Sequence, residues 1–469
     1  MKYKAIDLFC GAGGFSKGFE MSDKFEILKG YDINEEALET FNFNHSAEGV
    51  NYDITGEVPE ELKDAKIDIV IGSPPCQGFS DAKGSRNVGD HRNNLVFHFI
   101  RWVKEINPDI VVMENVSGIM TISDDFINDI ENEYEKSGYN LNYSILNCAE
   151  FGVPQKRKRT IFIATKKGYP KPTMPHPTSK KQLNLLTKSN NEYVADVLVG
   201  EAISDLPSPT KNGISNYDIK PKNEYQEIMR EKSNKIYNHI AKEPREKDMF
   251  IVEKIPEGKM YRSTRFGEKY VGVWNLFQSE FTYEQRLVLW FIARYRGRKA
   301  YKATDKSGPD YIKEKTIINS FKKQKVLNEA AKYGFEKVID EGININKDNI
   351  RKLKDEGWLR SKDANGKIAY DLNSQSGIRP RYMRLNREDK SNTILTTDFN
   401  AREKLHPVEN RGLSLREGAR IQSFPDDFIF KGDFKAIAKQ IGNAVPPLLA
   451  KQIALHVEKF LEIENEEAI

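Results

Sequence analysis

Cys76 is the residue of this chain that is best placed for covalent chemistry. Residues 67–71 before it are largely β-branched and apolar and are bounded by Gly72, so they predict a short buried strand. Pro74 and Pro75 then fix φ and remove two backbone donors, so the chain leaves the strand in a stiff turn. This turn would hold the Cys76 thiol as a nucleophile facing a cleft. The alternative is a small buried thiol, the usual state of a free cysteine.

Glycines and carboxylates follow the other predicted strands of the same region. The loop Gly11–Gly14 allows a tight turn and close approach to a ligand, but its GxGG pattern differs from the GxGxxG of dinucleotide sites. Asp32 lies where a carboxylate commonly receives ribose hydroxyls, although it could instead cap the following helix. Asp53 and Glu114 end two further segments, and Glu114 could also be an exposed strand-end charge. Together, these groups at successive strand ends predict a binding site.

Strands and helices alternate through the first third of the chain. Asn34 can cap one predicted helix, and apolar residues recur at three- and four-residue steps through 96–106 to predict another. The predicted strands are residues 5–9, 25–28, 67–71, 109–113 and 160–164. This alternation predicts an α/β fold with a parallel sheet covered by helices on both faces and with ligands at the carboxyl ends of the strands.

Composition excludes several classes of protein. The 469 residues suffice for two domains, and no stretch approaches the roughly 20 apolar residues that a membrane span needs. The chain runs from Met1 directly into a predicted strand, which leaves no room for a signal peptide. The three cysteines form no CxxC pair and the seven histidines no HxxxH or HxH pair, so we expect no metal centre. We therefore expect a cytoplasmic protein.

The amino-acid composition changes after about Lys166. Four prolines between 170 and 177 interrupt the chain, and a polar region follows. Between Arg286 and Asp363 the chain has 20 Lys and Arg against 11 Asp and Glu, a local net charge of +9, whereas the rest of the chain has −5. Such a concentration is typical of a surface that binds a polyanion, and the alternative is a set of solvated helix faces.

Six segments of the chain together resemble the cytosine-C5 methyltransferase family. The resemblance covers residues 5 to about 165 and 380 to 460, in the order of the family's motifs. The segments are Asp7–Gly14 (DLFCGAGG), Pro75–Gln77 (PCQ), Glu114–Val116 (ENV), Gln155–Arg159 (QKRKR), Arg416–Pro425 (REGARIQSFP) and Gln440–Pro447 (QIGNAVPP).

The resemblance implies roles for four catalytic residues. Cys76 would add as a thiolate to C6 of cytosine, which makes C5 nucleophilic toward a sulfonium methyl group. Glu114 would hold N3 and the exocyclic amine and donate a proton. Arg157 and Arg159 would orient a base that has been rotated out of the duplex and would steady the other two residues.

The resemblance also implies S-adenosyl-L-methionine as the cofactor. Asp32 would bind its ribose, and Asp53 with Ile54 would lie beside its adenine. The full set of implied cofactor-binding residues is Asp7, Phe9, Gly11, Ala12, Gly13, Asp32, Ile33, Asp53, Ile54, Pro75, Leu95 and Asn443.

We expect a Rossmann-like methyltransferase domain at 1–180 and 435–469, and a smaller target-recognition domain at 181–434. Within the latter, Asp348–Leu359 predicts a short helix that enters a strand, and Asn365–Gly366 predicts a hairpin turn before the strand 367–370. This order resembles a winged-helix-like insert at about 286–378. The alternative is an elaborated recognition domain without that topology. The implied partner is double-stranded DNA, which the protein would modify as a monomer in a restriction–modification system, separately from any cognate endonuclease. We expect it in the cytoplasm, associated with the nucleoid through DNA.

Two other functions compete with this interpretation. A tRNA cytosine-C5 methyltransferase would use the same chemistry, but the interval of 234 residues from Arg159 to Thr393 is long for such an enzyme. A non-catalytic DNA-binding module would need none of the four catalytic residues. The sequence does not reveal which DNA site is modified, because base readout depends on side chains that no motif identifies.

Overall fold

The structure, a computed structural model, describes residues 2–75, 95–177, 196–263, 265–296, 298, 311–363, 366–373, 376 and 381–467. The chain divides into two compact units. The first unit comprises Met1–Ala241, Arg387–Phe399 and Ser414–Ile469, and the second comprises Lys242–Asn386 and Asn400–Leu413.

The strands and helices of the described residues follow in chain order. The strands are β1 (Tyr3–Leu8), β2 (Phe25–Asp32), β3 (Glu48–Asn51), β4 (Ile69–Gly72), β5 (Ile110–Val116), β6 (Tyr139–Asn147), β7 (Gln155–Lys156), β8 (Lys158–Lys166), β9 (Ser215–Asn216), β10 (Lys235–Ile236), β11 (Met260–Tyr261), β12 (Tyr270–Val271), β13 (Ile312–Lys313), β14 (Leu359–Asp363), β15 (Ile368–Leu372), β16 (Met383–Arg384), β17 (Ser391–Asn392) and β18 (Lys404–Leu405). The α-helices are α1 (Gly14–Met21), α2 (Glu35–Asn44), α3 (Glu60–Lys63), α4 (Leu95–Ile106), α5 (Asp124–Lys136), α6 (Val199–Ile203), α7 (Glu224–Arg230), α8 (Glu246–Val252), α9 (Val273–Leu276), α10 (Tyr283–Tyr295), α11 (Glu314–Ser320), α12 (Gln324–Ala331), α13 (Lys337–Asp340), α14 (Lys347–Asp355), α15 (Leu415–Ile421), α16 (Phe434–Asn443) and α17 (Pro447–Glu467). Short 3₁₀ helices cover Ser117–Thr121, Cys148–Phe151 and Gln278–Glu280.

A seven-stranded sheet with the strand order β3-β2-β1-β4-β5-β8-β6 organises the first unit. The first five strands in that order pair in parallel, as the alternation of strands and helices predicts. The central residues Ile69–Ile71 are fully buried, which requires cover on both faces of the sheet. The predicted α/β class is confirmed.

The last two strands depart from a fully parallel sheet. Strand β8 lies between β5 and β6 and pairs antiparallel with both. The connection from β6 to β8 covers only residues 148–157, which is too short for the crossover that parallel strands need. The sequence pattern also missed β3 and β6, because their side chains are mostly half-buried or exposed and give no apolar run.

The predicted helices are present where the pattern placed them. Asn34 caps α2, since its side chain accepts a hydrogen bond from the Ala37 amide at 3.1 Å. Helix α4 buries the predicted apolar stripe. The carboxyl-terminal helix α17 packs against α1, and a Cβ on Gly18 would lie 2.3 Å from that of Ala450. A glycine therefore permits the close approach that joins the last helix to the sheet domain.

The second unit has an apolar and aromatic core, which includes Trp290 and Phe291 of α10. A small sheet with the order β12-β11-β16-β18 and a three-stranded sheet with the order β13-β15-β14 surround it. The helix and hairpin predicted from 348 onward are present as α14, β14 and β15. The turn residue Asn365 lies outside the described residues, and its neighbour Gly366 has φ +70°.

The compact units do not end where the sequence predicts domain boundaries, at 180 and 435. Residues 196–241 and 414–434 belong to the first unit. Buried Arg420 explains this difference, because its guanidinium pairs with Asp205 at 3.1 Å and with Asp426 at 2.6 Å. Within the part of the chain that the structure describes, no helix is long and apolar enough to cross a membrane.

Candidate active site

A cavity of about 680 Å³ lies in the first unit at the carboxyl ends of β1 to β5. This is the edge where ligands bind in open α/β sheets, and the volume suits a small ligand. The predicted site residues that line the cavity are Phe9, Gly11, Ala12, Asp32, Ile33, Asp53, Ile54, Pro75, Leu95, Glu114, Arg157, Arg159 and Asn443.

Two of the predicted site residues that the structure describes are not in this wall. Asp7 is fully buried and accepts a hydrogen bond from the Ser16 hydroxyl at 2.6 Å. A Cβ on Gly13 would lie 2.1 Å from Nε2 of His45, so this glycine, with φ +91°, is needed for close packing. Asp7 and Gly13 therefore stabilise the glycine loop, through a buried hydrogen bond and through close packing, and they do not line the cavity. Cys76 lies outside the described residues.

The Asp32 carboxylate fixes the glycine loop against the end of β2. Its two oxygens accept hydrogen bonds from the backbone amides of Gly11 and Asn34, each at 2.8 Å. Burial raises the pKa of Asp32, and these backbone hydrogen bonds oppose that shift. Because Asn34 itself supplies the helix cap, capping by Asp32 is not its role. The carboxylate is half-buried and lines the cavity.

Glu114 and Arg159 form an ion pair in the cavity wall. Nε of Arg159 lies 2.6 Å from Oε1 of Glu114, and both side chains are largely buried. Antiparallel pairing of β5 with β8 places Arg159 opposite Val116, two residues from Glu114. The Arg159 Nη1 also donates to the Lys158 carbonyl at 2.8 Å. Such a charge-assisted pair holds one carboxylate oxygen in a fixed direction. The alternative of an exposed strand-end charge is wrong for Glu114, which is buried.

Arg157 lines the same cavity but also braces the surrounding backbone. Its Nη1 donates to the carbonyls of Gly442 at 3.2 Å and Ile394 at 3.4 Å. Burial lowers the pKa of this guanidinium to about 9. Nearby, Gln155 accepts a hydrogen bond from the Ile394 amide at 2.8 Å. The motif residues of β7 and β8 therefore tie together segments that lie more than 200 positions apart in the chain.

Asn115 is a functional candidate to which the sequence analysis gave no role. Its side-chain amide donates to the Pro74 carbonyl at 3.1 Å, and the residue is buried. It thereby anchors the stiff turn that leads into Cys76. Its position directly after Glu114 was the available signal. Residues 395–397 also line the cavity and were missed, because the sequence gives them no recognisable motif.

The other two cysteines are poor nucleophiles. Cys10 and Cys148 are buried, and burial raises the pKa of Cys148 to about 11 and that of Cys10 well above its usual value. Of the three cysteines of the chain, Cys76 is thus the remaining candidate for a reactive thiolate. Among the described side chains, no group of three His, Cys, Asp or Glu could hold a metal ion.

Comparison with known proteins first defines the class of fold. A solved structure of a candidate DNA modification methyltransferase encoded within a prophage, from Escherichia coli, matches with a TM-score of 0.55 and 20% identity. The match covers 98% of this chain and all of that chain, and it shows the fold alone.

The sequence comparisons then define the family. The profile of the C-5 cytosine-specific DNA methylases matches residues 3–286 and 278–459. The Type II methyltransferase M.DdeI of Desulfomicrobium norvegicum is 30% identical over 479 residues, covering 98% of this chain and 89% of that protein. The Type II methyltransferase M1.HphI of Haemophilus parahaemolyticus is 29% identical, covering 98% and 88%. The chain belongs to the C-5 cytosine-specific DNA methylase family, and its activity is methylation of carbon 5 of cytosine in DNA.

Proposed function

We propose that the protein transfers the methyl group of S-adenosyl-L-methionine to a cytosine within a specific double-stranded DNA sequence. The reaction proceeds through a covalent bond between Cys76 and C6 of a cytosine that has left the duplex. One observation carries this proposal. The glycine loop with Asp32 and the ion pair of Glu114 with Arg159 line a single cavity, and the wall includes Pro75, the residue before Cys76.

The residues of the cavity fit this cofactor. Ile33 is 69% exposed at the cavity, an apolar surface that an adenosine would cover. Phe9 has the unusual φ of +62°, which turns the chain sharply beside the glycine loop. The Asp32 carboxylate has lone pairs left to accept the ribose hydroxyls. When bound, S-adenosyl-L-methionine supplies an electrophilic methyl group on a sulfonium.

The side chains divide the chemistry among them. The Cys76 thiolate forms a bond to C6, and the electron pair of the C5–C6 double bond moves into the ring. Glu114, with one oxygen held by Arg159, uses its other oxygen to bind N3 and the exocyclic amine and supplies a proton to the ring. C5 would then bond to the methyl carbon as the carbon–sulfur bond of the sulfonium breaks, which leaves a neutral thioether. Loss of the C5 proton to solvent would re-form the C5–C6 double bond and expel the Cys76 thiolate, and N3 would return its proton to Glu114.

The proposal assigns the two units to different tasks. The first unit carries the cofactor cavity and the reacting groups, and the second unit reads the DNA sequence. Because the relatives M.DdeI and M1.HphI are named Type II methyltransferases, we assign the protein to a restriction–modification system, in which methylation protects host DNA. It works as a monomer in the cytoplasm, at the nucleoid, separately from the cognate endonuclease.

Bisulfite sequencing of DNA from cells that express the protein tests the activity and identifies the target. We expect methylcytosine at one recurrent sequence with the wild type and none with Cys76→Ser, because a hydroxyl provides no comparable anion at neutral pH. Cys148→Ala is the matched control, since this buried thiol lies outside the cavity wall and its loss should leave the methylated sequence unchanged.

A second measurement examines the covalent step with purified protein. A duplex carrying 5-fluorocytosine at the target should trap the wild type, because fluorine cannot leave as a proton does, and should not trap Cys76→Ser. Turnover by Cys76→Ser within a few-fold of the wild type would contradict the covalent mechanism. Methyl transfer to tRNA but not to duplex DNA would favour the competing tRNA function.

A further inference from the structure

Residues 283–372 of the second unit have the element order of a winged-helix module. Among the described residues of this segment, helix α10 is followed by the short strand β13, then by helices α11 to α14, and finally by the paired strands β14 and β15. Strand β15 is central and pairs antiparallel with both β13 and β14. We propose that this module is a DNA reader, with α14 lying in the major groove to contact base edges and the β14–β15 hairpin contacting the adjacent backbone. This proposal rests on the assignment of duplex DNA as the substrate.

Helix α14 is fixed to the unit along one side. Ile350 and Leu353, three positions apart, are fully buried in the core. The Asn346 side chain caps the helix, accepting hydrogen bonds from the amides of Asp348 at 2.9 Å and Asn349 at 3.1 Å. A capped helix with a single buried stripe leaves its other faces rigidly presented to solvent.

The exposed faces of α14 have the side chains that base edges require. The exposed residues are Lys347, Asp348, Arg351, Lys352, Lys354 and Asp355. A major groove about 12 Å wide admits a helix of about 10–12 Å diameter. Arginine and lysine bind guanine, and aspartate accepts from the cytosine amine. The absence of a large apolar side chain among these residues disfavours a protein groove as the partner, and the four basic groups favour a polyanion.

The hairpin beside α14 is firmly anchored at its base and basic toward its turn. The fully buried Asp371 of β15 pairs with Arg360 of β14 at 2.6 Å and with Arg296 at 3.2 Å. Near the turn, the Gly366 amide donates to the Asp363 side chain at 2.7 Å, and Lys367 is exposed. The Lys362 ammonium lies over the Tyr311 ring at 4.5 Å. Lysines on such a hairpin suit phosphate contacts, which position a reader on the duplex.

A second basic cluster provides an internal contrast. Lys322 and Lys323 are exposed between α11 and α12, and Lys325 is exposed in the first turn of α12. The cluster contains no acidic side chain, and lysine alone contacts phosphate without reading sequence. If α14 reads bases and this cluster contacts phosphates, substitutions at the two places must differ in how their effects depend on DNA sequence.

The experiment measures binding and kcat/KM of the full-length protein on the target duplex found by bisulfite sequencing and on duplexes with single base-pair changes. The variants are Arg351→Ala, Lys352→Ala and Asp348→Ala, and we expect at least one of them to reduce the preference for the target at one base pair by about 5- to 150-fold. Three variants are needed because Arg351 also interacts electrostatically with the Tyr370 hydroxyl, so its loss alone could disturb the fold.

The triple variant of Lys322, Lys323 and Lys325 to Ala should weaken binding equally on all duplexes. For this variant, the slope of the logarithm of the DNA-binding constant against the logarithm of the salt concentration should become shallower by roughly 0.9 for each phosphate that is no longer neutralised. Lys337→Ala, an exposed basic residue outside α14 and the hairpin, is the matched control and should change neither binding nor preference.

If all three α14 variants fold as the wild type does and keep its target preference, the inference is wrong, whether or not binding weakens uniformly. Failure of the wild type to methylate any DNA would instead overturn the proposed function. A loss of preference in the α14 variants with retained methyl transfer supports both the function and the reader.

Discussion

The cavity of the first unit and the α14 surface of the second unit use charged side chains in opposite ways. In the cavity wall, Glu114 is held by Arg159 at 2.6 Å and is buried. On α14, charged side chains such as Arg351 and Lys352 are exposed to solvent. The first arrangement fixes direction before any ligand arrives. The second leaves long side chains that can adapt to a partner and be released from it.

This difference determines what a substitution should change. A buried charge has given up its hydration, so removing its partner has a cost in stability or catalysis whatever the DNA sequence. An exposed charge has little effect on the fold, so its effect depends on the DNA and on salt. Three predictions test this rule, from the largest expected effect to the smallest.

The buried network around Arg420 should be the most sensitive to substitution. Arg420→Met would leave the carboxylates of Asp205 and Asp426 buried without their shared guanidinium, which should cost roughly 3–5 kcal/mol of unfolding free energy. The measurement is urea unfolding of the full-length protein.

Arg360→Met in the second unit is the matched variant. Arg360 is 43% exposed, and its partner Asp371 keeps a second ion pair with Arg296. We therefore expect a clearly smaller loss of stability. Equal losses of unfolding free energy for the two variants would mean that burial of the arginine does not determine the size of the loss.

Asp32→Ala should weaken cofactor binding by roughly 1.5–3 kcal/mol, because the carboxylate is lost both as a ligand group and as the hydrogen-bond acceptor of the Gly11 amide. The methylated sequence should not change. Calorimetric titration with S-adenosyl-L-methionine measures the affinity, and bisulfite sequencing measures the target. Asp32→Asn keeps an acceptor and should lose less. An unchanged cofactor affinity for Asp32→Ala would remove this residue from the binding site.

Asp7 should give the fold a pH dependence that Asp7→Asn abolishes. Burial raises the pKa of Asp7 to about 7, above its usual value of 3.8, so the folded protein retains a proton that the unfolded chain loses. The contribution of this carboxyl to stability is therefore full below about pH 4 and is lost as the pH rises to about 7, by at most about 1.4 kcal/mol per pH unit.

Urea unfolding of the wild type and Asp7→Asn at several pH values between 4 and 8 measures this effect. The difference in unfolding free energy between the two proteins should shift in favour of Asp7→Asn as the pH rises and level off above the pKa. Parallel curves for the two proteins would mean that Asp7 has the same pKa in the folded and unfolded states.

The sequence alone determined much of the first unit. Short apolar runs such as 67–71 predicted the strands β4 and β5, because strands that are buried on both faces must be apolar throughout. Groups at strand ends predicted the site, because parallel strands bring their carboxyl ends to one edge. Most of the predicted residues line the cavity for that reason.

Tertiary structure decided the rest, through contacts between residues that are distant in the chain. The bracing of Arg157 by Gly442, the anchoring of Pro74 by Asn115, and the inclusion of 196–241 in the first unit all depend on such contacts. So does the position of Gly13 against His45, which removes it from the cavity wall. A local sequence pattern indicates which side chains of one helix or strand are buried. A hydrogen-bond partner hundreds of residues away leaves no such pattern, because the two residues meet only when their elements pack together.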